Sequence, residues 1–151
     1  MIQTCKHYTI EELVDPDTYK LYGETAWMFF PPESLQMIDD FWEFCDYYIT
    51  PGSTRISINT WKWHGDKKWS GLRTIFCTEG TDRSFHRLAS GFDLKIKPFK
   101  SLSDYDTIRN TIIQNKDHPL LKLINCIELG TPTWLHIDRR NISNRIRLVK
   151  G

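Results

Sequence analysis

The chain has 151 residues, 40% of them hydrophobic and 13% aromatic, enough apolar volume for one packed domain. Lys plus Arg number 20 against 19 Asp plus Glu, a net charge of +1, which gives no electrostatic case for nucleic acid as the main partner. The aromatic content and mixed charge exclude generic disorder. The apolar cluster Ala26-Trp27-Met28-Phe29-Phe30 falls far short of the roughly 20 residues a membrane-spanning helix needs.

From the N-terminus, Met1 to Lys6 lacks a basic stretch leading into an apolar segment, so the expectation is synthesis in the cytoplasm without a secretory signal. Thr9-Ile10-Glu11-Glu12 matches a capping box and predicts a short helix. Asp15-Pro16 interrupts it, and a turn-rich stretch runs to Gly23. Pro31-Pro32-Glu33 opens the best helix, with Leu35, Ile38, Trp42 and Cys45 as a core-facing stripe widened by Met37, Phe41, Phe44 and Tyr48. Pro51-Gly52 ends it.

Thr54 to Thr60 alternates: Ile56 and Ile58 face one way, and Arg55, Ser57 and Asn59 the other. Residues 61–82 show little periodicity and read as a long loop with short ordered pieces, a kind of segment that tends to carry function. Gly91 to Lys97 is a second half-buried strand, with Phe92, Leu94 and Ile96 opposite Asp93, Lys95 and Lys97. Ser103 or Asp104 caps a helix to about Gln114. Leu120 to Glu128 fits a helix tail or a strand. Trp134 to Asp138 and Ile142 to Val149 read as strands. Helices with non-consecutive antiparallel strands give an α+β domain spanning residues 1–151. The four cysteines, at 5, 45, 77 and 126, form no CxxC pair, so zinc-finger spacing is absent and buried free thiols are expected.

Three residues carry potential chemistry. Asp93 lies on the polar face of its strand, His86 stands seven residues earlier, and His136 shares a strand face with Trp134 and Asp138. Two imidazoles and a carboxylate form a catalytic-zinc donor set with a fourth position left for water, and both donor types are available at pH 7.

The residues around them carry a resemblance. Ser84-Phe85-His86-Arg87-Leu88-Ala89-Ser90-Gly91-Phe92-Asp93 resembles the SxHxxGxAxD signature of the zinc D-Ala-D-Ala carboxypeptidase and L-alanyl-D-glutamate endopeptidase family. Trp134-Leu135-His136-Ile137-Asp138 resembles its second motif, WxHxD, and Ser70-Gly71-Leu72-Arg73 its upstream SGxR segment. Glu11 to Pro16 and Tyr22-Gly23-Glu24 look like the openings of phage-type members, so the resemblance covers about residues 8–148.

The resemblance implies a hedgehog/DD-peptidase-like fold, a single small α+β domain with a central antiparallel sheet flanked by helices. It implies Zn2+ held by His86, Asp93 and His136, with Arg73 forking onto a substrate carboxylate or facing the oxyanion, and Ser84 supporting the first ligand. The implied substrate is a peptidoglycan stem peptide, cut at the bacterial cell wall by carboxypeptidase or endopeptidase action. No nucleic acid or membrane partner is implied, and the chain is expected to act as a monomer or as a component of a phage particle. A non-catalytic zinc domain on the same fold is the competing expectation.

Two positions depart from the family pattern. Ala89 replaces the motif glycine and Gly91 its alanine, so either Ala89 takes a left-handed conformation or the loop adjusts. Three residues before His136 stands Thr133 instead of glutamate. Glu128, returned by a turn at Gly130-Thr131-Pro132, is the expected base. Asp138 is the alternative base, or a group orienting a ligand imidazole. Trp63 and Trp69, in the aromatic loop with Trp61 and His64, are expected to wall the cleft or stack on sugar rings, or else to cap the core. His64 is better read as a surface residue than as a fourth ligand. Lys95, Lys97 and Lys100 form a small basic edge, a solvated strand face.

Overall fold

A computed structural model describes residues 1–80, 84–140 and 146–151. Three α-helices, α1 (Pro16–Tyr22), α2 (Pro32–Tyr48) and α3 (Leu102–Gln114), flank a five-stranded sheet of β1 (Ile56–Ser57), β2 (Gly91–Ile96), β3 (Cys126–Leu129), β4 (Leu135–Asp138) and β5 (Arg147–Lys150). The order across the sheet is β1-β2-β4-β3-β5. Among the described residues no helix is long and apolar enough to cross a membrane.

The sheet is mixed, which corrects the antiparallel expectation. β2 and β3 both pair antiparallel to β4, whereas β5 runs parallel to β3. Both edges of β4 are taken, so the chain skips over β3 to reach its free edge. Alternation in sequence reports which side chains are buried, not the direction of the neighbouring strand. The expected strand from Ile142 falls partly outside the described residues, and β5 is an exposed edge in which Leu148 is 44% accessible.

Asp15-Pro16 starts a helix instead of merely ending one. The Asp15 carboxylate accepts the N–H groups of Asp17 and Thr18, and Pro16 sits where a missing N–H costs nothing. The capping box before it closes only a 3-10 turn over Ile10–Glu12, with Glu12 accepting the Thr9 N–H at 2.8 Å. In α2, Leu35, Met37, Ile38, Phe41, Phe44 and Cys45 are buried, while Trp42 lies partly exposed with its ring stacked 3.9 Å from His7. α3 begins after Ser101, two or three residues before the expected caps at Ser103 or Asp104, with Ser101 and Asp104 capping each other. Its Tyr105 hydroxyl accepts the Ile96 N–H at 3.0 Å, tying α3 to the end of β2. The ambiguous segment before β4 resolves into both alternatives, a 3-10 turn over Pro119–Leu121 and strand β3.

One buried cluster forms the core, joining Phe92, Leu94, Ile96, Leu135 and Ile137 of the sheet with Leu35, Ile38 and Phe41 of α2 and Tyr105, Ile108 and Ile112 of α3. The opposite face of β2 and β4 carries Asp93 and His136. All four cysteines are unpaired, and all but Cys5 are buried.

Asn59 corrects the reading of β1. Expected on the solvent face, it is completely buried: its amide donates to the Val14 carbonyl at 3.0 Å and its oxygen accepts the Ser70 N–H at 2.9 Å. Pairing with β2 covers only Ile56 and Ser57, so the alternation of 54–60 overstates the strand.

Candidate metal centre

The antiparallel register of β2 and β4 sets Asp93 directly opposite His136. Continuing the β3–β4 register one residue past Ile127 and Ile137 brings Glu128 beside His136 on the same face. His86 enters from a 3-10 turn, Phe85–Leu88, packed against the start of β2. His86, Asp93 and His136 each offer one ligand-type atom, and these atoms all lie within 4.8 Å of one another. The expected donor set is therefore brought together in space. His86 Nε2 is 3.4 Å from Asp93 Oδ1, and His136 Nδ1 is 2.8 Å from the same oxygen.

The hydrogen bonds on the outer side of each ring decide which nitrogen faces inward. His86 Nδ1 lies 2.8 Å from the Gly71 carbonyl, which can only accept, so Nδ1 carries the proton and Nε2 presents a lone pair. His136 Nε2 lies 2.8 Å from Asp138 Oδ2, which leaves Nδ1 facing Asp93. Asp138 is fully buried and also accepts from the Arg140 guanidinium, with Nε 2.9 Å from Oδ2. Its carboxylate thus lies against Nε2, the ring nitrogen turned away from Asp93, and outside the residues that line the cleft.

Electrostatics agree with this arrangement. Burial disfavours the His136 imidazolium, yet hydrogen bonds to Asp138 and Asp93 outweigh it and raise the pKa to about 9. Burial likewise opposes the charged form of Asp93, but the two imidazoles more than compensate and hold its carboxyl well below the usual carboxylate range. Without a metal, the site keeps a proton between His136 and Asp93. A divalent cation satisfies the same lone pairs with more charge. Tetrahedral zinc, about 2.0–2.2 Å from N and O donors, needs donor atoms roughly 3.3 Å apart; the two separations to Asp93 Oδ1 are 3.4 and 2.8 Å, and all three donor atoms lie within 4.8 Å of one another. The donor set could coordinate a metal ion such as Zn2+.

Local sequence explains how the ligands are held. Gly71 passes so close to Leu13 that a Cβ there would lie 2.2 Å from the Leu13 carbonyl oxygen. This approach lets the Leu72 N–H reach Leu13 and aims the Gly71 carbonyl at His86. Ser84 accepts the His86 N–H at 3.4 Å, a cap on the turn that carries the first ligand. Ala89 follows in the left-handed region, at φ 52° and ψ 32°, so the first of the two expected alternatives is the one adopted. Gly91 is not left-handed. A Cβ there would stand 3.3 Å from the His136 ring and from the Phe85 and His86 backbone, so its value is close approach.

Arg73 donates Nε to the Trp69 carbonyl at 2.9 Å and places Nη2 3.4 Å from Asp93. Glu128 Oε2 is 3.8 Å from His136 Nδ1, and its side chain is 26% exposed. Both line an open cleft of about 320 Å³ over the donor set, together with Trp134 and Arg140. A second cavity of about 330 Å³ continues from it through Arg73, Asp93 and Trp134, with Trp69 in its wall. Trp63 lies elsewhere, 55% exposed and outside the described residues that line either cavity. Trp61 donates to the Val14 carbonyl, and His64 is exposed.

Arg109 was missed in the sequence. Reading α3 by its apolar periodicity gives no reason to bury an arginine, yet it is 1% exposed. Its guanidinium donates to the carbonyls of Glu128 (3.1 Å), Thr131 (2.6 Å) and Trp134 (3.1 Å), to the Thr131 hydroxyl and to Asp106 (2.7 Å). It thereby fixes the β3–β4 connection, which carries Glu128 at one end and leads to His136 at the other. The only sequence signal is Asp106 three residues before it, an ordinary helical ion pair.

Compared with protein-family models, curated proteins and solved structures, the chain matches none.

Proposed function

We propose that this protein is a zinc-dependent hydrolase of peptide bonds in peptidoglycan stem peptides, acting at the bacterial cell wall. The observation that carries the metal assignment is the convergence of His86 Nε2, Asp93 Oδ1 and His136 Nδ1, with both rings locked from behind by Gly71 and Asp138. The substrate class rests on the resemblance of residues 70–73, 84–93 and 134–138 to the D-Ala-D-Ala carboxypeptidase and L-alanyl-D-glutamate endopeptidase family.

When bound, zinc supplies Lewis acidity toward the scissile carbonyl and lowers the pKa of a water. Glu128, on the open side of His136, accepts the proton of the attacking water and returns it to the leaving amine. Arg73 bridges both parts of the cleft and presents its guanidinium to a substrate carboxylate or to the developing oxyanion. Asp138 keeps His136 in the tautomer whose Nδ1 is free to bind metal. Trp69 and Trp134 wall the channel in which the peptide lies.

The test is bound metal and turnover together. Wild-type protein and His136→Ala are purified without added metal or chelator, zinc per chain is quantified, and both are assayed on purified peptidoglycan and D-Ala-D-Ala-ended peptides by mass spectrometry. The expected result is about one zinc in the wild type, its loss in the variant, and a released fragment that identifies the bond. Zinc without cleavage of any substrate points to a non-catalytic zinc domain. A folded wild type that neither contains nor takes up zinc overturns the metal site itself.

A further inference from the structure

We propose that Arg140 is a positioning residue of the metal centre, a strut that ties together the two elements carrying its histidines. The inference rests on the metal site of the proposed function and not on its substrate. β4 ends at Asp138, and the chain continues alongside the start of β2, where the Arg139 N–H donates to the Ser90 carbonyl at 3.2 Å. This places Arg140 against both supports of the site. Its Nε lies 3.0 and 2.9 Å from the two Asp138 oxygens, its Nη2 donates to Oδ2, and its backbone N–H donates to Oδ1 at 2.9 Å. Its guanidinium carbon sits over the Phe85 ring, 4.9 Å from the centroid.

Asp138 holds the His136 ring, and Phe85 immediately precedes His86 in the 3-10 turn. Arg140 therefore completes a path from one imidazole to the other, His136–Asp138–Arg140–Phe85–His86, beside rings whose centroids are 5.0 Å apart. The completely buried Asp138 carboxylate needs a cation beside it, and Arg140 supplies one while its own side chain stays 25% exposed at the cleft. A lysine ammonium could pair with the carboxylate, but it has no fork to grip both oxygens and no flat face for the ring. The guanidinium does both, so the distance between the ligand-bearing elements is set from Arg140.

Zinc affinity is measured by competition with a chromophoric chelator, at a temperature where circular dichroism shows each protein folded. The set is wild type, Arg140→Gln, Arg140→Lys, Phe85→Leu and the double variant of Arg140→Gln with Phe85→Leu. Arg140→Gln is expected to bind zinc about 10- to 100-fold more weakly, the usual cost of losing a group that supports a ligand. Arg140→Lys recovers part of that loss. Phe85→Leu keeps the apolar bulk, removes the ring and costs about three-fold, in line with a cation–π contact. The double variant is expected to be no weaker than Arg140→Gln alone, because the ring acts through the guanidinium. A merely structural role lowers the unfolding temperature of the metal-free protein and leaves zinc affinity unchanged, and that result overturns the proposal. So do independent effects that multiply in the double variant. Should Arg140→Gln not fold, wild-type affinity in both Arg140→Lys and Phe85→Leu overturns it. A wild type that binds no zinc overturns the strut and the metal site together. Arg140-dependent zinc binding without peptide cleavage upholds the strut and counts only against the hydrolase reading.

Discussion

His136 and Asp138 stand two residues apart on β4, joined Nε2 to Oδ2 at 2.8 Å, with the carboxylate completely buried. The pair points the other ring nitrogen at Asp93, into the cluster that could coordinate a metal ion. Asp138→Asn is expected to weaken zinc binding by 10- to 100-fold, because the neutral amide neither fixes the tautomer as firmly nor raises the basicity of the ring. Competition with a chromophoric chelator measures it. An unchanged affinity rules out an orienting role for Asp138.

Metal loading follows the proton on His136. With its pKa raised to about 9 in the metal-free protein, the imidazolium has to lose its proton before Nδ1 can bind zinc. Zinc affinity is expected to climb from pH 6 to about pH 9 and then level, with a proton released on binding. The metal-free fold runs the opposite way. A folded pKa above the ordinary 6.5 contributes stability that is fully present below pH 6.5 and is lost as pH rises through 9. Denaturant unfolding of chelator-treated protein at pH 6 and pH 9.5 checks the sign, and greater stability at pH 9.5 contradicts it.

Glu128 lies on the cleft side of His136, 3.8 Å from Nδ1, and is not one of the three convergent ligands. Glu128→Gln is expected to keep one zinc per chain and to lose turnover by about 10²- to 10⁴-fold, the usual worth of a general base. Loss of zinc in this variant instead assigns Glu128 to the metal.

The turn between the first two ligands holds two opposed backbone demands. Ala89 sits at φ 52°, a region that glycine enters without a Cβ penalty. Ala89→Gly is expected to stabilise the protein by about 0.5–1 kcal/mol, the left-handed penalty being partly offset by the entropy of glycine in the unfolded chain. Gly91→Ala puts a methyl 3.3 Å from the His136 ring and from two backbone atoms, and is expected to lower both stability and zinc affinity. Thermal unfolding with and without zinc reads both substitutions, and equal stability of the two variants argues against this account of the turn.

Local chemistry made much of this legible. Phe92, Leu94 and Ile96 against Asp93 and Lys95 announce the strand that carries the second ligand, and Leu135 and Ile137 against His136 and Asp138 announce the strand that carries the third. Those alternations follow from side chains pointing to opposite faces of a pleated strand, a property of neighbours in the chain. The α+β class, α2 and the polar strand faces that carry Asp93 and His136 are of this kind, whereas His86 lies in a turn and its role is what the resemblance of residues 84–93 implies. Other features depend on contacts between distant segments. Asn59 is buried because Val14 and Ser70 satisfy it, and Arg109 because three carbonyls of the β3–β4 connection converge on it. The parallel pairing of β5 depends on which sheet edge β4 left open. Whether Glu128 meets His136, and which nitrogen of each histidine faces the cleft, depends on strand register and on a carbonyl at Gly71. Periodicity encodes which side of an element is desolvated, but the partner that satisfies a buried polar group is supplied by a segment tens of residues away, and only the folded chain brings the two together.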